Sequence, residues 1–277
     1  MGYRLYHSCL CDKILKMIAE SKLNRIWRQA VPDRRIWLLL LALPNLLPAG
    51  PSPLRALLLT GRNNHAWQET TPVLISILQQ SGRFSTTVIT DPAQLAGRLD
   101  SCDVLVSNWN SWPEVTGRPW GQASETAFLS FLQKGGGLVL IHAASATMQE
   151  WPEYQAIAGA TWQLGTTGHG KIHTFEVVAA DTLQPFCAGL LRFSIQDELW
   201  HRMAVQPHVR VEYKAFSAVS FGGTGNWEPV VLTTSYGKGR CFYSVLGHDV
   251  KTMQSQAWRR LLIAGTIWAA TGKREPH

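Results

Sequence analysis

Residues 135–146 read GGGLVLIHAASA. A glycine triplet closes whatever precedes it, Leu138–Ile141 follow without polar alternation, and the chain leaves through His142 into small residues. A short apolar run bounded by turn signals is a strand buried on both faces, as in a parallel sheet covered by helices. Ligands of such sheets bind beyond the carboxyl ends of the strands. His142 stands at that end, as a reacting group, a metal ligand or a buried histidine bonded to backbone.

The same pattern extends in both directions. Ala56–Thr60 reads as a first strand, and Thr70-Thr71-Pro72 as the start of a helix that runs to Gln80. Hydroxyl residues just before a first-turn proline are suited to that start. Thr86–Thr90 and Asp103–Asn108 read as further strands, and Ser124–Lys134 as an amphipathic helix stopped by the glycines. The second half is richer in strands: Ile172–Val178, Val209–Phe216, Val230–Ser235 and Cys241–Leu246, before a last helix over Gln256–Ala270. The expectation is an α/β fold with a mostly parallel central sheet and β-rich additions in the second half.

Composition narrows the function. The 277 residues are 45% hydrophobic and 16% charged, enough for one sizeable core. The net charge of +7 sits mainly at the front. Residues 1–50 hold eight basic and three acidic residues, so the remainder carries only +2. No basic stripe interleaved with aromatics is present, which argues against nucleic acid as a partner. Cys9, Cys11, Cys102, Cys187 and Cys241 make neither a disulfide framework nor a zinc ribbon.

Residues 34–50, RRIWLLLLALPNLLPAG, place positive charge before an apolar run and then turn-forming residues. This reads as an export leader within residues 1–53, giving a periplasmic or extracellular protein or, if uncleaved, one anchored in the membrane. A start at Met17 would give a leader of more ordinary length. Residues 54–271 then form the domain and 272–277 a tail.

Polar residues gather at expected strand ends: His65, Asn108 and Trp109, His142, and His248-Asp249. In QDELWH (196–201), a helical turn would put Glu198 and His201 on one face, where carboxylate and imidazole suit a zinc-type ion. The glycines of GHGKIH (168–173) argue against a helix. His169 and His173 would lie about 13 Å apart in extended chain, too far to share an ion. His169 is the freer to reach the crevice, and His208 reads as a loop residue. Trp67, Trp109, Trp120, Trp151 and Trp162 sit in or beside expected loops, where aromatic faces suit sugar rings or packing.

These motifs resemble the trehalose-utilisation (ThuA-like) family of the class I glutamine amidotransferase-like fold. The carriers are TGRNNHAWQETTPVL (60–74), DVLVSNWN (103–110), FLQKGGGLVLIHAASA (131–146), WPEYQAIAG (151–159), DELWH (197–201) and EPVVLTTSYGKGRCFYSVLGHD (228–249), with AGTIWAA (264–270). The resemblance implies a flavodoxin-like three-layer αβα sandwich and a place in carbohydrate metabolism. Amidotransferases of that fold carry a nucleophilic cysteine after this strand. Here His142 stands near that position with no cysteine, so glutamine hydrolysis is not expected. Ser145 is an alternative nucleophile, but HAASA lacks the glycine-flanked elbow.

The resulting expectation is an exported enzyme acting on a glycoside or oxidised (keto) sugar by acid/base or metal-assisted chemistry. His142, Glu198 and His201 are its candidate catalytic residues and ligands for zinc or manganese. His65, Asn108, Trp109, Ser145, His169, His248 and Asp249 are the candidate substrate contacts. The partner is a small carbohydrate. A non-catalytic sugar-binding module is the other reading.

Overall fold

The computed structural model describes residues 52–274; the leader reading falls outside them, as do Cys9, Cys11 and the end of the tail. Among the described residues, no helix is long and apolar enough to cross a membrane.

One nine-stranded sheet organises the domain. Five strands run parallel: β1 (Leu54–Leu59), β2 (Phe84–Ile89), β3 (Val104–Ser107), β4 (Gly137–Ile141) and, from late in the chain, β13 (Gly239–Ser244). Their spatial order is β2-β1-β3-β4-β13. Alternation within each strand serves two cores. Ala56, Leu58, Val104, Val106, Val139 and Ile141 face α1 (Trp67–Gln80) and α5 (Gln256–Thr271). Leu57, Leu59, Leu105, Leu138 and Leu140 face α2 (Gln122–Gln133) and α3 (Pro152–Ala158). Covering both faces explains why these strands read as unbroken apolar runs.

The sheet continues antiparallel beyond β13 through β12 (Trp227–Tyr236), β11 (Arg210–Phe216), β7 (His173–Ala179) and β8 (Arg192–Asp197). Short ribbons pair β5 (Ala160–Thr161) with β10 (Ala204–Val205), and β6 (Gly168–His169) with β9 (Trp200–His201). Four antiparallel steps return β8 to the direction of β13, so both end at one rim. In a flat sheet β8 would lie roughly 19 Å from β13. Instead, Asp197 at the end of β8 accepts hydrogen bonds from the N–H groups of Gly247 (2.8 Å) and His248 (3.3 Å), just beyond β13. The antiparallel arm therefore curls back. Its inner residues Phe175, Val177 and Ile195 join the core against α5, and Thr252 in α4 (Val250–Met253) donates to the Gln196 carbonyl.

Two local expectations are corrected. First, α1 begins at Trp67, a turn before Thr70-Thr71-Pro72. The threonines do not cap; Thr71 Oγ1 bonds Thr60 Oγ1 at 2.6 Å, and Thr70 Oγ1 accepts from the Asn108 amide at 3.0 Å. Their hydroxyls tie the helix to the ends of β1 and β3. Second, QDELWH is not a helical turn. Residues to Asp197 complete β8 and Trp200–His201 form β9. Strand pairing to β7 and β6 overrides the acidic residues that suggested a helix start.

Candidate active site

The rim collects three imidazoles and one carboxylate. His65 comes from the loop after β1, His142 from the first residue past β4, His248 from the loop after β13 and Glu198 from the curled arm. The rings meet edge-on: His65 lies 4.7 Å by centroid from both His142 and His248, which lie 5.4 Å from each other. His142 Nε2 is 3.5 Å from Glu198 Oε2, and His65 Nε2 is 4.0 Å from the same oxygen. His248 Nε2 is 4.0 Å from Glu198 Oε1.

Two of the rings are hydrogen-bonded from behind, and the third faces a carboxylate. His142 Nδ1 donates to the Val245 carbonyl at 2.7 Å, and His65 Nδ1 to Asn63 Oδ1 at 3.0 Å. His248 Nδ1 lies 3.4 Å from Asp249 Oδ2. Carbonyl oxygens only accept, so His142 and His65 carry a proton on Nδ1 and aim Nε2 at Glu198. Asn63 is itself held: its amide donates to the Asn108 carbonyl (3.1 Å) and side-chain oxygen (3.3 Å). His142 adopts a φ of +45°, a left-handed conformation that costs a non-glycine residue about 1–2 kcal/mol. Such strain persists where the surroundings over-determine it, often at functional sites.

Electrostatics couple the groups. Burial works to raise the Glu198 carboxyl, but His142, Trp200 and His169 outweigh it and hold the group at about 2. Trp200 Nε1 donates to Glu198 Oε2 at 3.0 Å, and His169 Nδ1 lies 3.1 Å from Oε1. Burial pushes His65 down, with the neighbouring His142 and His248 imidazoles adding to it, to about 3. Burial lowers His142 too, but the facing Glu198 carboxylate and the charge of Asp197 prevail and raise it.

A small cavity of about 230 Å³ opens beside His65 and Glu198. Trp112, Trp162 and Trp200 wall it, Ala143 and Ala146 leave it room, and His169 stands at its edge. Glu198 is the only carboxylate in its lining.

The other expected residues have different placements. His201 does not line this cavity. In extended chain Trp200 takes the side facing Glu198, while the His201 ring packs over Gly168, where a Cβ would come within 2.9 Å of it. Trp109 is a core residue, 4% exposed and packed edge-on to Trp120. Trp120 and Trp151 are buried with Phe128 and Tyr154, so these loop tryptophans pack rather than face the cavity. Ser145 is fully buried; its hydroxyl donates to Tyr243 (2.7 Å), whose own hydroxyl donates to the His142 carbonyl (2.8 Å). This geometry supports the His142 turn and leaves Ser145 unexposed as a nucleophile. Asn108 is buried and positions Asn63, and Asp249 caps α4 through Thr252 N–H at 2.9 Å. Cys102, Cys187 and Cys241 are all buried.

Sequence reasoning missed Trp112, Asn63 and Asp197. Trp112 follows Asn110-Ser111 closely enough after β3 to signal the rim. Asn63 and Asp197 act through other residues and give no signal of their own.

Comparison with known proteins agrees with this architecture. The model of the family described as ThuA, trehalose utilisation, matches residues 55–269. A ThuA-like protein of Parabacteroides merdae is 31% identical with a TM-score of 0.73, covering 82% of this chain and 93% of that one. A ThuA-like protein of Bacteroides uniformis, 18% identical, has a TM-score of 0.61 over 81% and 94% of the two chains. A β-galactosidase of Rahnella sp. R3 shares the fold alone, at 15% identity and a TM-score of 0.50 over 76% of this chain and 31% of its own. No curated protein matches.

Proposed function

We propose, for a chain that belongs to the ThuA trehalose-utilisation family, a metal-assisted enzyme of carbohydrate metabolism acting on a glycoside or an oxidised (keto) sugar. The carrying observation is the convergence of the His65, His142 and His248 Nε2 atoms on Glu198 beside an aromatic-walled cavity.

The residues suit a zinc-type ion. Ligand atoms of His65, Glu198 and His248 lie within 4.8 Å of one another. His142 Nε2 is buried without a hydrogen-bond partner and faces the same carboxylate. A tetrahedral zinc with nitrogen and oxygen ligands spaces them about 3.3 Å apart, so the observed set, 3.5–4.0 Å from imidazole to carboxylate and within 4.8 Å overall, would draw inward around the ion. The acceptors of His142 and His65 Nδ1 supply the outer hydrogen bonds that metal-bound histidines use. A bound divalent metal, zinc or manganese, would polarise a substrate oxygen.

The remaining roles fall to the chain. Glu198 is held ionised and does not serve as an acid near neutrality. With no second carboxylate lining the cavity, paired-carboxylate glycoside hydrolysis lacks its partner. His169 is the cavity's solvent-accessible titratable group, its Nδ1 directed at the Gly170 carbonyl (2.9 Å) and Glu198, so it is the proton carrier. Trp112 and Trp162, 6.1 Å apart and edge-on, offer flat faces to a sugar ring. The volume, below the usual 300–1,000 Å³ of drug-sized sites, suits one ring. The leader reading of residues 34–50 supports a periplasmic or extracellular protein or, if uncleaved, one anchored in the membrane, and fractionation of the full chain tests it.

Elemental analysis is the decisive test. About one zinc or manganese per chain is expected, lost in a His65→Ala/His248→Ala variant that still folds. No metal after attempted loading overturns the metal-assisted reading. Glu198→Gln should cut turnover on the responsive sugar by about a thousandfold. Unchanged turnover removes Glu198 from the site; sugar binding without turnover in the native protein indicates a binding module.

A further inference from the structure

A second depression also reaches Glu198. It is wider, about 730 Å³, open to solvent, and lined by His169–Ile172, Glu198 and Ser220–Gly222. His169 and Glu198 belong to both hollows, so the titratable pair stands at their joint.

The outer hollow has a built platform. The Phe221 ring stacks on His173 at 4.0 Å and 7°, yet Phe221 remains 40% exposed, so one face is held and surface remains open. His173 is fixed in turn by donating from Nδ1 to the Lys171 carbonyl at 2.8 Å. Lys171 N–H donates to the Phe221 carbonyl at 2.8 Å. A Cβ on Gly170 would lie 2.4 Å from that oxygen, so the close approach requires glycine. Ile172, 45% exposed, adds an apolar neighbour.

We propose that this platform is a second subsite, binding the portion beyond the glycosidic oxygen of a glycoside whose sugar ring occupies the inner cavity. The proposal rests on the sugar reading of that cavity and chooses between its two substrate classes. The substrate is a two-part glycoside with a ring or apolar group beyond the glycosidic oxygen, which lies at His169; it is not a free keto-sugar. The small inner cavity admits one ring, and the wider hollow that shares Glu198 and His169 with it leads to Phe221.

Calorimetric titration of the full-length protein with matched methyl and 4-nitrophenyl glycosides tests this. The pairs would cover gluco, galacto and manno configurations in both anomers. For the configuration that binds, the 4-nitrophenyl glycoside should bind about tenfold more tightly, the size of one aromatic stacking contact. Phe221→Ala should abolish the gain and leave the methyl glycoside unchanged. Phe221→Leu, which keeps an apolar side chain but removes the flat face, should do the same. Methyl binding without a gain, or a gain that survives both substitutions, overturns the subsite alone. If neither glycoside binds in any configuration, the sugar reading falls and the subsite falls with it.

Discussion

The parallel half of the sheet and its antiparallel arm contribute unequally to one site. The parallel half sends out His65, His142 and His248, each oriented by oxygens within or next to its own loops. The arm sends out Glu198 and Trp200, with His169 from the adjoining ribbon. Three imidazoles alone would repel one another's protons; the carboxylate from the arm makes them a single charged group. The comparison teaches that this fold's usual crevice is here completed by chain added outside the parallel layer.

The comparison breaks first at packing. Trp120→Ala removes a buried ring from the parallel half and should cost about 4 kcal/mol. Trp112→Ala, at the cavity wall, should cost under about 1 kcal/mol while weakening sugar binding. Chemical denaturation of both variants, with ligand titration of the second, checks the contrast; equal stability losses would contradict it.

Asp197→Ala attacks the junction of the two regions. The buried carboxylate accepts N–H groups from residues 198, 247 and 248, and losing it should cost about 3 kcal/mol. Metal affinity should fall at least about tenfold in the same protein, measured by competition with a chelator. Retained affinity would show that the arm needs no such anchor.

Ser145→Ala should cost about 1 kcal/mol, for one buried hydroxyl bond to Tyr243, with turnover essentially unchanged. A collapse in turnover at full stability would restore serine chemistry.

The smallest effect is a pH dependence of the parallel half alone. Arg55, hydrogen-bonded to Asp103 at 2.7 Å, lowers that carboxyl below its ordinary 3.8. The folded state therefore takes up this proton at lower pH than the unfolded chain. The stabilisation is full above the unfolded value and disappears as pH falls through the folded one. Both side chains are partly solvated, so the contribution is below about 1 kcal/mol. Asp103→Asn should remove that slice of acid sensitivity in melting curves from pH 5 to 2, and an unchanged curve would refute the assignment.

Legibility in the sequence follows the same division. Strands covered on both faces must be apolar throughout, so β1, β3 and β4 were readable, and with them the ends carrying His65 and His142. The arm's longer strands were also visible, but its curl was not. That shape depends on Asp197 meeting Gly247 N–H across 50 positions, and no local pattern encodes it. Glu198 was recognised as a residue type and given the wrong local geometry, which brought His201 with it. The tryptophans show the same limit: Trp120 and Trp112 both follow turn residues, and only packing separates core from cavity wall.

Asp197 has one more consequence. The backbones bearing Glu198 and His248 hang from a single carboxylate, so the two side chains form one mechanical body. A shift of β8 would be passed to Glu198 and His248 together, so it would change their distance from the His65 and His142 rings before it changed the spacing within the pair.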